Sequence, residues 1–163
     1  MSSTPLGGAS AEEVTGPPYV GALLRLPWQA VRNRLLRAFG DAGFGDIVPS
    51  HFSVIQYPPP DGVRPIDIAA KAQISKQAAN YLISQLESHG YLQRRTIPGK
   101  GRLVFLTARG QKVADVAHAT MRKIELEWQQ VLGPERYRTF RESLVELVEI
   151  TSADRAIEQK DVS

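Results

Sequence analysis

The chain has 163 residues, 42% apolar and 23% charged, with a net charge of +3 and no cysteine. That is enough for one domain with a real core but too little for two, and the missing thiols exclude disulfides, thiolate metal sites and thiol redox chemistry. No apolar run reaches the roughly 20 residues of a membrane helix, and no basic segment leads into an apolar one at the start, so no membrane partner and a cytoplasmic location are expected.

Residues 1–18 are rich in Ser, Gly, Pro and Thr without apolar periodicity and read as a disordered tail. From Val20 the pattern turns helical, with Leu24, Trp28, Val31, Leu35 and Phe39 in one stripe. Pro27 inside that run should kink or restart the helix, because it lacks an N–H and crowds the preceding turn. Gly40, Gly43 and Gly45 then end it. A short helix is expected over 49–57, closed by three prolines, and another over "RPIDIAAKAQ".

A turn through Gln73–Ser75 follows. Ser75 is a good N-cap for a helix over Lys76–His89, and Gly90 is a good residue to stop it. On this helix Ala79, Leu82, Ile83 and Leu86 gather on one face, and Gln77, Asn80, Tyr81 and Ser84 on the other. "YLQRRT" and "RLVFLT" read as strands of a hairpin with the basic, glycine-rich tip "IPGKG". Thr107 should cap a long helix with Val113, Val116, Thr120, Ile124, Trp128 and Val131 on its stripe. Gly133-Pro134 separates it from a last helix ending near 152, with Tyr137, Phe140, Leu144, Leu147 and Val148 on one face. The expected division is therefore a tail at 1–18, an N-terminal helical segment at 19–45, a unit at 46–110, C-terminal helices at 111–153 and a tail at 154–163.

The positive charge is concentrated. Arg64 to Gly110 holds eight basic residues against two acidic ones, a net +6, while 1–63 and 111–163 come to −1 and −2. Such a focus attracts polyanions, of which nucleic acid is the commonest. The order short helix, tight turn, polar-faced helix and basic-tipped hairpin belongs with it. A two-helix unit of this kind lays its second helix in the DNA major groove, where Gln and Asn suit adenine, and Lys and Arg suit guanine or phosphate.

"PIDIAAKAQISKQAANYLISQLESHGYLQRR" followed by "GRLVFLTARG" resembles the winged helix-turn-helix core of MarR-type transcriptional regulators, and the likeness extends over about residues 20–152. The resemblance implies a mainly α fold with a short β-hairpin wing. It implies a homodimer joined through the N- and C-terminal helices and bound to a pseudo-palindromic operator in double-stranded DNA. It also implies release, in many members, by a small aromatic or phenolic ligand held between the dimer region and the DNA-binding lobe. The matching DNA-contact positions are Ser75, Lys76, Gln77, Asn80, Tyr81 and Ser84 on the helix, and Arg94, Arg95, Lys100 and Arg102 in the wing. Two departures matter. Gln73 stands where the family often has Gly, at a cost on the order of 1 kcal/mol if that position needs a positive φ. The wing is short and lacks the Asp that usually orients its arginine, which favours phosphate contact by Arg102 over minor-groove insertion.

Other features have plainer readings. Trp28, Phe52, Tyr57 and Trp128 could line an effector pocket, but aromatics at helical spacing are more often core. His51, beside Ser50, joins Trp28, Phe52 and Tyr57 as a ligand-site candidate. Three scattered histidines without an i, i+4 pair do not suggest a metal, and no cofactor is expected. No nucleophile-elbow, zinc-protease, P-loop or dinucleotide motif appears, so an enzyme is not expected. The leading reading is a homodimeric DNA-binding regulator, most simply a repressor. The alternative is a winged helix used for protein contact without reading DNA.

Overall fold

The structure is a computed structural model and describes residues 16–56 and 58–161, excepting the side chains of 153–161. Helix α1 (Val20–Asp41) leads through a 3₁₀ turn (Pro49–His51) into the single-turn α2 (Phe52–Ile55). Then come α3 (Pro65–Ala72), α4 (Lys76–Ser88), the strands β1 (Leu92–Ile97) and β2 (Gly101–Leu106), and the long helices α5 (Ala108–Leu132) and α6 (Pro134–Asp161). The fold is mainly helical with one small antiparallel hairpin, the winged helix-turn-helix arrangement expected.

The core is built where the apolar stripes meet. Val31, Leu35 and Phe39 of α1, Ile68 of α3, Ile83 and Leu86 of α4, Leu92 and Val104 of the hairpin, and Val113 and Ile124 of α5 form one buried cluster. Helix α1 packs along α5, and α3 along α4. Arg34 and Glu127 tie α1 to α5 through two hydrogen bonds of 2.5 and 2.9 Å. The Arg34 guanidinium, by that hydrogen bond, holds the Glu127 carboxyl below its ordinary value.

Local chemistry sets the junctions. The Ser75 hydroxyl accepts the Ala78 N–H at 3.0 Å and caps α4, and Gly90 stops that helix at φ +76°. Thr107 caps α5 through the Gly110 N–H at 3.0 Å, while its hydroxyl donates to the Gly90 carbonyl. Gly110 is required by space: a Cβ there would sit 2.1 Å from the Tyr91 carbonyl oxygen. The wing turn runs Ile97-Pro98-Gly99-Lys100, closed by the Lys100 N–H on the Ile97 carbonyl at 3.0 Å, with Gly99 at φ +75°. That is a type II turn, which places Pro second and glycine third.

Four expectations need correcting. Pro27 does not restart α1, which is assigned as one helix through to Asp41. Its missing N–H falls in the exposed half of the helix, where the Leu23 carbonyl it would have used lies on a residue 51% exposed and open to water. The helix expected over 49–57 is a 3₁₀ turn and one α turn, ending at Ile55. Helix α6 continues to Asp161, through the segment expected to be a tail. Its last turns carry no apolar stripe for periodicity to detect. The wing also gains a third member, because Val63 pairs with Val104 in a single antiparallel bridge. The tail expected at the N-terminus lies outside the described residues as far as residue 15, as does Tyr57.

Candidate nucleic-acid interface

Helix α4 splits as its sequence requires. Ala79, Ile83 and Leu86 are fully buried against the core. Lys76, Gln77, Asn80, Tyr81 and Ser84 are exposed, and so is the cap residue Ser75. Tyr81, 63% exposed, stands out from the surface with its hydroxyl accepting from Gln85 Nε2 at 3.0 Å. The turn that aims this face ends α3 with Gln73 in the left-handed region, at φ 56° and ψ 41°. Glutamine therefore occupies the conformation for which glycine is the unstrained choice.

In the hairpin, residues paired across the two strands share a face. Arg94 opposes Val104 and Thr96 opposes Arg102, while Arg95 opposes Leu103. Arg94 and Arg95, adjacent in sequence, thus lie on opposite faces. Arg95 covers the Phe105 ring at 3.8 Å from its centroid and remains exposed at its charged end. Lys100 is exposed at the tip and Arg102 along β2. Between the tip, the 59–64 loop and α3 lies an open groove of about 760 Å³, whose rim includes Arg64, Lys71 and Lys100 against Asp61 and Asp67.

Arg94 departs from the expected surface role. Its side chain is 11% exposed and paired with Glu87. The Glu87 carboxylate accepts both its backbone N–H, at 2.8 Å, and its guanidinium. Arg94 lies against the edge of α4 that faces β1 rather than standing free on the wing surface. Sequence reasoning missed Glu87, the only acid on α4; strand parity and that lone acid were the available signals.

A second polar cluster was also missed. The buried Tyr91 hydroxyl donates to Asp46 and accepts from Arg109 at 2.9 Å. His89 Nδ1 lies 3.9 Å from Asp46. Burial pushes the Asp46 carboxyl up, but the Tyr91 hydrogen bond, its own backbone and the charges of His89 and Arg109 bring it below the ordinary value. Burial, then the Asp46 hydrogen bond, raises the Tyr91 phenol. This cluster ties the loop after α1 to the starts of β1 and α5.

The ligand-site candidates do not share one environment. Trp28 is 53% exposed on the free half of α1, whereas His51 is 2% exposed. Phe52 packs edge-on against Phe39, with centroids 5.7 Å apart. His51 Nδ1 accepts from the Val48 N–H at 3.3 Å, and its buried Nε2 has no partner within hydrogen-bond geometry. Burial, more than the charge of His89, lowers its pKa against the opposing influence of Gln85 and Asp46. Among the described residues no group of three or more His, Asp or Glu is placed to hold a metal.

No protein-family model matches the sequence, and no curated protein does either. Solved structures share the fold. A MarR family protein of Mycobacterium tuberculosis is 25% identical, with 82% of this chain and 96% of that one covered at a TM-score of 0.52. MarR itself is 16% identical, covering 82% and 98% at 0.65. NadR, solved in complex with 4-hydroxyphenylacetate, is 18% identical, covering 86% and 99% at 0.63. Likeness at this level of identity shows the fold: the chain has the winged helix-turn-helix fold of MarR-type structures.

Proposed function

We propose that the chain is a homodimeric, sequence-specific DNA-binding regulator that represses transcription from a pseudo-palindromic operator. The observation behind this reading is the outer face of α4. It is exposed, free of acids, and offers Lys76, Gln77, Asn80, Tyr81 and Ser84 above the helix N-terminus at Ser75. A face of that width fits the major groove, with Gln77, Asn80 and Tyr81 toward base edges and Ser75 at a phosphate. Arg95, Lys100 and Arg102 of the wing supply backbone contacts.

The dimer follows from surplus apolar surface. Tyr19, Val20, Leu23, Leu24 and Leu26 of the α1 end, with Val145, Val148 and Ile150 of α6, are each at least 45% exposed in the single chain. Soluble monomers seldom leave apolar surface of this extent uncovered. A two-fold pairing of the segments 19–45 and 111–153 buries it and sets the spacing of two 46–110 units. A small aromatic ligand between these parts releases the DNA. NadR's complex with a phenolic acid supports this choice of ligand class.

Titration of a labelled duplex against salt tests the reading. A dimer making roughly 6–10 phosphate contacts loses about 10³–10⁵ in affinity between 50 and 200 mM salt. A flat salt response, or a monomer that binds equally well, refutes it.

A further inference from the structure

The Glu87–Arg94 pair is placed where an ordinary surface ion pair would not be. Asn80, Ser84 and Glu87 follow one another on successive turns of α4, along the edge facing β1. Arg94 lies across all three. Its guanidinium is anchored on Glu87 and reaches Ser84 Oγ at 3.3 Å, the Asn80 carbonyl at 3.3 Å and the Asn80 side-chain oxygen Oδ1 at 3.2 Å. The other end of the same amide is fixed too, because Asn80 Nδ2 donates to the Lys76 carbonyl at 3.0 Å.

We propose that Arg94, held by Glu87, is a positioning residue for base readout: it fixes the orientation of the Asn80 amide on the recognition helix without touching DNA itself. This rests on the reading of α4 as the DNA-reading helix. An exposed asparagine amide can rotate and present its oxygen or its nitrogen to either side. Here Oδ1 faces Arg94, a donor without any acceptor, so the flipped amide would set N–H against N–H. One lone pair on Oδ1 and one N–H on Nδ2 remain uncommitted. These are the two groups needed to pair with N6 and N7 of adenine in the major groove. Glu87 neutralises the arginine, so that its charge serves orientation more than phosphate attraction. Lysine cannot substitute, since one ammonium cannot span Glu87 and Asn80 as the planar fork does.

The test uses the full-length chain and random-sequence duplexes, with the retained DNA sequenced for wild type, Arg94→Lys, Glu87→Gln, Asn80→Ala and the Arg94→Lys/Asn80→Ala double variant. The wild type is expected to enrich adenine at one base pair per half-site. Asn80→Ala should lower that preference about tenfold, equivalent to a single good side-chain–base pairing. Arg94→Lys and Glu87→Gln should lower preference at that same pair several-fold, leave the other positions intact, and change affinity for unrelated duplex less than twofold. The double variant should be no worse than Asn80→Ala alone. A purely structural Arg94 would instead weaken all positions together, or add its effect to that of Asn80→Ala, and either result overturns the proposal. So does an Asn80→Ala variant with unchanged preference. A wild type that enriches nothing overturns the DNA reading itself, a failure visible before any substitution is compared.

Discussion

Gly110→Ala sets two effects of opposite sign against each other. Gly110 lies in the first turn of α5, and in a helix alanine is favoured over glycine by about 1 kcal/mol. On propensity alone the substitution stabilises. The local geometry says otherwise, because the new Cβ would fall 2.1 Å from the Tyr91 carbonyl oxygen and 3.0 Å from Leu106 Cδ2. The first neighbour is backbone and cannot swing away. It also accepts the Thr107 N–H at 3.0 Å. Moving α5 away from β1 therefore loosens the helix cap as well. Overpacking of this kind costs about 1–3 kcal/mol, and a weakened Thr cap about 1 more. After the propensity gain the net loss is about 2 kcal/mol, a fall in Tm of about 4–8 °C for a chain of this size. Gly40→Ala in α1, where a Cβ would meet nothing within 4 Å, is the control and should be neutral or mildly stabilising. Thermal unfolding followed by circular dichroism reads both. A Gly110→Ala variant as stable as wild type, or more so, would refute the close approach at Tyr91.

Gln73→Asn should raise stability by a few tenths to about 1 kcal/mol, because asparagine tolerates the left-handed backbone better than glutamine; urea unfolding with an unchanged m-value checks it. Burial holds His51 below the ordinary histidine pKa of 6.5, so the unfolded chain takes up its proton first as pH falls. Stability from this residue is therefore complete above about 6.5 and is lost as pH drops toward the lowered folded value. Replacing His51 with Gln should flatten urea midpoints over that interval, and an unchanged slope would show that the histidine is not the titrating group. Lys100→Ala should weaken binding to all duplexes alike and reduce the salt slope by about one per subunit, which titration at several salt concentrations would show.

Much of the site was legible because it is local. The split of α4 into a buried and an exposed face follows from period 3.6, and Ser75, Gly90 and Thr107 act where capping chemistry put them. Gln73 stood out only through the resemblance, as Gln where the family often has Gly, and its φ of 56° shows that the position does need the left-handed region. The features that escaped depend on distant partners. Val63 makes one bridge, too short for an alternating pattern. Asp46, His89, Tyr91 and Arg109 meet only after folding, and nothing in their spacing links them. Arg94 looked equivalent to Arg95 by charge. Strand parity sends one against the edge of α4 at Glu87 and the other onto Phe105. Counting basic residues locates a charged region but not the direction in which each residue points.

The decisive measurement is to incubate the purified protein with sheared DNA from its own genome near physiological salt and sequence what it retains. Sequence-specific binding by a dimer through α4 predicts an enriched pseudo-palindrome with half-site centres about 10–10.5 base pairs or a multiple apart, its preference at one base pair per half-site relaxed in the Asn80→Ala variant. Retention without any common sequence, or the same enrichment with Asn80→Ala, would contradict the assignment of α4 as the helix that reads DNA.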